Sequence, residues 1–297
     1  MLRINRKSVV AMAVETKPKF PIARNWIVNL DGTSNMGIGC AGIHYNVKVG
    51  DGVRQFEGDH VEPGVTCVTG DATNPGNPGN LACYTFSCVG NEARVVSGDA
   101  KGARGVVTGH HGGGNHTIID FPQRALERLT YDDRILVRAC GQGLKLLDYP
   151  AVAVYGLDPD LLGKLGIREV KGALEVPVVG CFPAQMMGSG LGHVDSFRGD
   201  YDIQTSDPEA NEEHGLDRLR MGDFVALLDQ DGTYGYSFRQ GAVSIGVIIH
   251  ADSPVAGHGP GVQVLLTTAQ KGLIRPVPSA AANLGRYLRI GRWRTRT

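Results

Sequence analysis

Residues 108–121 read TGHHGGGNHTIIDF and place three histidines, three consecutive glycines and an aspartate in one short stretch. Neutral imidazoles and carboxylates are donors that suit zinc, iron or manganese. Glycine needs no side-chain volume, so GGGN between His111 and His116 lets backbone amides come close to a ligand. An incomplete protein shell around such an ion leaves room for a water that the metal acidifies, which is the chemistry of hydrolysis. The spacing matches no established signature such as HExxH. A glycine-rich turn with surface histidines fits the same residues.

Three further stretches carry chemistry of a related kind. In IGVIIHADSPVAGHGPGV an apolar strand runs straight into His250, and a glycine-bordered turn holds His258. In GSGLGHVDSFRGDYDIQTSD, residues 188–207, the D-Y-D spacing turns Asp200 and Asp202 to one side if the chain is extended. Such a carboxylate pair can hold a metal or divide acid and base roles. In ACGQGLKLLDYP, Gln142 and Lys145 stand among apolar residues. A lysine held there can act as base or nucleophile, or it can simply snorkel to solvent. No phosphate-binding GKS/T, nucleophile elbow or CxxC pair occurs, which argues against a P-loop, a serine triad and a zinc knuckle.

The elements that must position these groups are short. From residue 26 to 107, apolar segments such as GIHYNVKVGDGV and GVTCVTG alternate with turn signals, as half-buried strands do. GDATNPGNPGN, residues 70–80, reads as a loop because its prolines and glycines recur too closely for helix or strand. Short helices are expected near residues 121–129, after the Asp158-Pro159 pair and over residues 207–219, the D-P pairs supplying the N-caps. RMGDFVALLDQDG mirrors TYDDRILVRACGQG, which hints at a repeated β unit. The expected fold is mainly β: barrel- or sandwich-like β domains with a few short covering helices. Residues 1–24 read as a disordered extension with initiation at Met12, residues 25–285 as the globular region with a possible internal boundary near 120–130, and residues 286–297 as a basic tail.

The 297 residues carry 30 Lys+Arg and 30 Asp+Glu, so no net field draws the chain to nucleic acid or anionic lipid. With 42 glycines and 15 prolines spread between valine and isoleucine runs, a compact turn-rich protein is expected rather than a low-complexity chain. No apolar run reaches the roughly 20 residues that span a bilayer. A cytoplasmic protein acting on a small molecule is therefore expected, and extended β edges favour a homo-oligomer.

GLKLLDYP, GSGLG, RGDYDIQT and AGHGPGV together resemble a prokaryotic family known as domain of unknown function 4438, over about residues 25–290. The resemblance implies a soluble, mainly β protein and transfers no catalytic residue. Gly98, Lys101, Gly102 and Gly105 are similar to the hairpin of KOW domains in ribosomal proteins, a basis for RNA binding that the neutral charge opposes. Gly114 and Asn115 are similar to a loop of the acetamidase and formamidase family.

The residues point first to a metal-dependent hydrolase of a small amide, lactam or related compound. His111, His116 and His250 are the expected ligands of a divalent zinc, iron or manganese ion. Asp200, Asp202, His258 and Lys145 are the candidates for acid–base work, and Asn115, Gln142 and Arg198 for substrate contact. A non-catalytic small-ligand or assembly protein is the alternative, with RNA binding third.

Overall fold

The computed structural model describes residues 2–21, 26–37, 39–71, 73–74, 76–113 and 115–295. A closed barrel of antiparallel strands runs in the order Ala11–Pro18, Val65–Val68, His116–Asp120, Arg104–His111, Glu92–Val95 and Ile135–Cys140, which returns to the first. Its interior is filled by small and branched side chains, among them Val14, Val65, Ala93, Val107, Ile119, Val137 and Ala139. Small residues suit a barrel this narrow, where larger side chains would overpack.

A second sheet follows in the order Gly180–Pro183, Phe224–Asp231, Ser237–Ile248, Gly261–Thr268 and Tyr201–Asp202. A third sheet is formed by Arg168–Val170, Ala173–Val178 and Ile274–Pro278. Two of the second sheet's long strands, Phe224–Asp231 and Gly261–Thr268, are buried on both faces along most of their length, in keeping with their apolar runs. The mainly β expectation holds. TYDDRILVRACGQG and RMGDFVALLDQDG share a detail: Asp133 Oδ2 accepts from the Thr130 amide at 2.9 Å and Asp223 Oδ2 from the Arg220 amide at 2.8 Å.

Three local expectations fail. Residues 2–21 are ordered: Ala11–Pro18 pairs with Ile135–Cys140 and closes the barrel, turning Val14, Thr16 and Pro18 inward. Only one of those inward residues is strongly apolar, so the strand lacks a sequence signal. Pro78–Phe86 is a helix where a loop and a strand were expected. Asn77 caps it by accepting from Gly79 N and Asn80 N, and Pro78 sits in the first turn, where no amide hydrogen is needed. The basic segment read as a tail is tied to the fold, with Arg292 paired with buried Asp51 and Arg294 with buried Asp120.

The barrel strand Arg104–His111 packs against the second sheet. Gly109 faces Ile249 so closely that a Cβ would lie 2.3 Å from its Cγ2. Beside it, Gln263 Oε1 accepts from the His110 amide at 2.9 Å and its Nε2 donates to His110 Nδ1 at 2.9 Å. Consequently the end of strand Arg104–His111 and the loops after Ser237–Ile248 share one buried space.

Candidate metal centre

His111 is the last residue of its barrel strand, and His250 lies two residues beyond strand Ser237–Ile248. His60 comes from the loop that leads into Val65–Val68, with a left-handed φ of 53° that is rare for a side-chain-bearing residue. These three histidines are buried together. His111 and His250 have ring centroids 4.6 Å apart, and His60 stacks on His111 at 5.4 Å.

Each of the three has Nδ1 engaged. His60 Nδ1 is 2.5 Å from Asp59 Oδ1, His111 Nδ1 is 2.5 Å from Glu62 Oε1, and His250 Nδ1 is 2.7 Å from the Ala251 carbonyl oxygen. An acceptor at Nδ1 takes the proton of a neutral ring and leaves the Nε2 lone pair free, the arrangement by which metal-binding histidines are oriented. One ring nitrogen from each lies within 4.8 Å of those of the other two. Three convergent lone pairs repel one another unless a proton or a cation sits among them.

Two carboxylates complete the set. Asp200 Oδ2 is 2.7 Å from His250 Nε2, while its Oδ1 accepts from the Gly112 amide at 2.7 Å. Asp202 Oδ1 is 3.7 Å from His250 Nε2, and its Oδ2 is 2.9 Å from His258 Nδ1. Burial on its own would raise both carboxyls, but the surrounding histidines outweigh it and hold both below the usual carboxylate range. Burial would likewise lower His60, yet its hydrogen bonds to Asp202 and Asp59 raise it to about 10. Buried anions in excess of fixed cations are what a divalent ion neutralises.

The centre opens on a cleft of about 350 Å³ whose walls include Gly112, Asn115, Ser189, Arg198 and Tyr84. Tyr84 is buried, and its hydroxyl has no hydrogen-bond partner among the described residues. Burial and the nearby Asp200 push its pKa well up, so it stays a neutral donor. Arg198 is paired with Asp195. Two larger surface clefts, one of about 590 Å³ beside Lys48, Arg124 and Arg292 and one of about 610 Å³ beside Arg54 and Asp252, have no histidine among their described lining residues.

Five expected residues thus gather at this centre: His111, His250, Asp200, Asp202 and His258. Asn115 and Arg198 stand in the cleft wall, whereas Gly114 lies outside the described residues. Three expectations are corrected. His116 does not face the cleft: its Nε2 is 2.5 Å from Glu62 Oε1 and its Nδ1 is 3.2 Å from the Lys19 ammonium. Glu62, Cys40, His111 and His116 cluster closely enough to hold an ion of their own, away from the cleft and beside Lys19, whose pKa burial lowers. His116 instead steadies Glu62, which steadies His111. Lys145 points to solvent between buried Leu144 and Leu146, and Gln142 donates to the Thr85 carbonyl beneath the Pro78–Phe86 helix. Neither lines the cleft.

His60 and Glu62, both in GDHVEPG, escaped the sequence reading. Their one local signal is an aspartate, a histidine and a glutamate at close spacing before a Pro-Gly turn.

Residues 26–163 match the model described as "Domain of unknown function (DUF4438), N-terminal", and residues 164–288 the corresponding C-terminal model. The chain belongs to the DUF4438 family. Its structure is similar to the one titled "Crystal structure of TM1086", at 45% identity and a TM-score of 0.88, over 97% of this chain and 99% of that one. No curated protein matches. In this DUF4438 chain the N-terminal match supplies His60, Glu62 and His111, and the C-terminal match supplies Asp200, Asp202, His250 and His258. The centre is therefore assembled from both matched regions.

Proposed function

We propose that the protein is a metal-dependent hydrolase of a small amide, lactam or related compound. The observation that carries this reading is the convergence of His60, His111 and His250, each oriented through Nδ1, beside Asp200 and Asp202 at the floor of a small cleft. These residues hold a divalent ion of the zinc, iron or manganese type. An ion held there would supply Lewis-acid chemistry, lowering the pKa of a water bound to it.

Addition of that water's oxygen to the substrate's carbonyl carbon would be followed by cleavage of the C–N bond, giving a carboxylate and an amine. The water's remaining proton leaves with the nitrogen. Asp200, anchored by the Gly112 amide and facing His250 Nε2, would help to hold the ion. Tyr84 would offer a neutral O–H to the oxyanion that forms on addition, since no described residue takes that O–H. Arg198, paired with Asp195, adds a guanidinium to the cleft wall for a polar or anionic substituent.

The test is turnover of a panel of small amides and lactams by chelator-stripped protein, with zinc, manganese(II) or iron(II) added back, read by mass spectrometry of the products. Hydrolysis that returns with metal and is abolished in His250→Ala is the expected result. If every metal-loaded sample leaves the whole panel intact, the amide assignment is wrong.

A further inference from the structure

The two oxygens of Asp202 face different nitrogens. Oδ1 looks toward His250 Nε2 at 3.7 Å, whereas Oδ2 lies 2.9 Å from His258 Nδ1 and 3.5 Å from His60 Nε2. His60 Nε2 and His258 Nδ1 are themselves 3.1 Å apart. These three atoms form a triangle with edges of 2.9, 3.1 and 3.5 Å. Ligand bonds of about 2.0–2.2 Å place neighbouring donors roughly 3.0–3.6 Å apart around one ion, so the triangle has the size of a coordination face.

We infer that the centre holds two divalent cations, with the Asp202 carboxylate bridging them. The inner cation takes His111, His250, Asp200 and Asp202 Oδ1; the outer one takes His60, His258 and Asp202 Oδ2. The inference rests on the metal reading proposed above and deepens it.

Three observations support a second ion over a hydrogen-bonded network alone. His60, His258 and Asp202 bring one donor atom each within a single short span, as do Asp200, Asp202 and His250, and Asp202 belongs to both groups. The far side of His60 is fixed by Asp59, whose Oδ1 also accepts from Ser253 Oγ at 2.6 Å. That hydrogen bond leaves Asp59 to orient His60 as a supporting residue does for a ligand. Lastly, His258 reaches the cleft with 29% of its side chain exposed, so the outer position is open to substrate and water. Paired ions about 3.5–4 Å apart clamp the attacking and leaving atoms in many hydrolases.

The test is stoichiometry. Chelator-stripped protein is dialysed to equilibrium against zinc and, separately, manganese(II), and bound metal per chain is measured by inductively coupled plasma mass spectrometry. Manganese samples are also examined by electron paramagnetic resonance for exchange coupling. Two ions per wild-type chain, a coupled manganese signal and one uncoupled ion in His258→Ala are expected, with unchanged circular dichroism. One ion per chain in both proteins overturns the two-ion inference and leaves the metal reading standing. No bound ion in either overturns both.

Discussion

His250 stands with Nε2 2.7 Å from Asp200 Oδ2 while its Nδ1 is committed to the Ala251 carbonyl oxygen. A neutral ring has one N–H, so it cannot satisfy both oxygens. A proton or a cation must lie between Nε2 and the carboxylate, and the same choice faces every donor around it. Because Asp200, Asp202, His60 and His111 crowd the same space, a bound cation satisfies several of these donors at once, where each proton satisfies one pair.

Gly261 sits against this pair. A Cβ there would meet Asp200 Oδ2 at 2.2 Å and His250 Nε2 at 2.3 Å. Gly261→Ala therefore displaces the donors directly, and metal affinity is expected to fall by at least about 10–100-fold, the range for disturbed ligand support. Competition with a chromophoric chelator measures the affinity, and circular dichroism reports that the sheet is intact. Unchanged affinity in folded protein would remove Gly261 and the Asp200–His250 contact from the centre.

Glu62 acts one step further out. Its Oε1 holds both His111 Nδ1 and His116 Nε2, and its Oε2 accepts from the Ala41 amide at 2.8 Å and Thr66 Oγ1 at 2.6 Å. Burial would raise its carboxyl, but His116 and His111 hold it well below the usual range. Glu62→Gln keeps the shape and loses the charge that orients His111. A drop in metal affinity of about 10–100-fold is expected, smaller than the loss in His111→Ala. Equal affinities for wild type and Glu62→Gln would show that the carboxylate has no part in the centre.

The barrel class, the D-P helix caps and five of the clustered residues were legible because each has a local cause: alternation, a capping side chain, or polar residues at a strand end. His60 and Glu62 were not. Their value comes from where a loop crosses the barrel mouth, and no window of sequence around GDHVEPG contains His111 or His250. Lys145 misled for the opposite reason. Its apolar neighbours Leu144 and Leu146 are buried by alternation, which turns the lysine out rather than in. The histidine pair flanking GGGN looked symmetrical, yet Lys19, distant in sequence, makes one side a support and leaves the other a donor.

Tyr84 separates stability from catalysis. Its hydroxyl is buried without a partner among the described residues, so removing it leaves no acceptor stranded and costs little or no stability. Tyr84→Phe is expected to keep its melting temperature and metal content. On any amide the wild type hydrolyses, its kcat/KM falls by about 10²-fold, as for loss of an oxyanion donor. Full activity in this variant would exclude Tyr84 from the reaction.

Asp120 and Arg294 give a pH signature remote from the centre. Burial raises the Asp120 carboxyl to about 6 even though Arg294 opposes the shift. A carboxyl whose folded pKa exceeds its unfolded value of about 3.9 favours folding most at low pH, and that contribution is lost as pH rises through about 6. Arg294→Met leaves the ionised carboxylate without its partner. The variant is expected to match wild type closely at pH 5 and to be less stable by about 1–3 kcal/mol at pH 8 in urea denaturation, both proteins in the same metal state. A deficit independent of pH would mean that the arginine contributes by packing alone.

The most direct measurement is the metal content of untagged protein purified without chelator, read by inductively coupled plasma mass spectrometry beside His111→Ala. Zinc, iron or manganese bound at one equivalent or more, and reduced in the variant, is the predicted result. Wild-type protein that is metal-free as purified and stays so after incubation with each of the three ions would contradict it, and the buried histidines would then be a proton-sharing network.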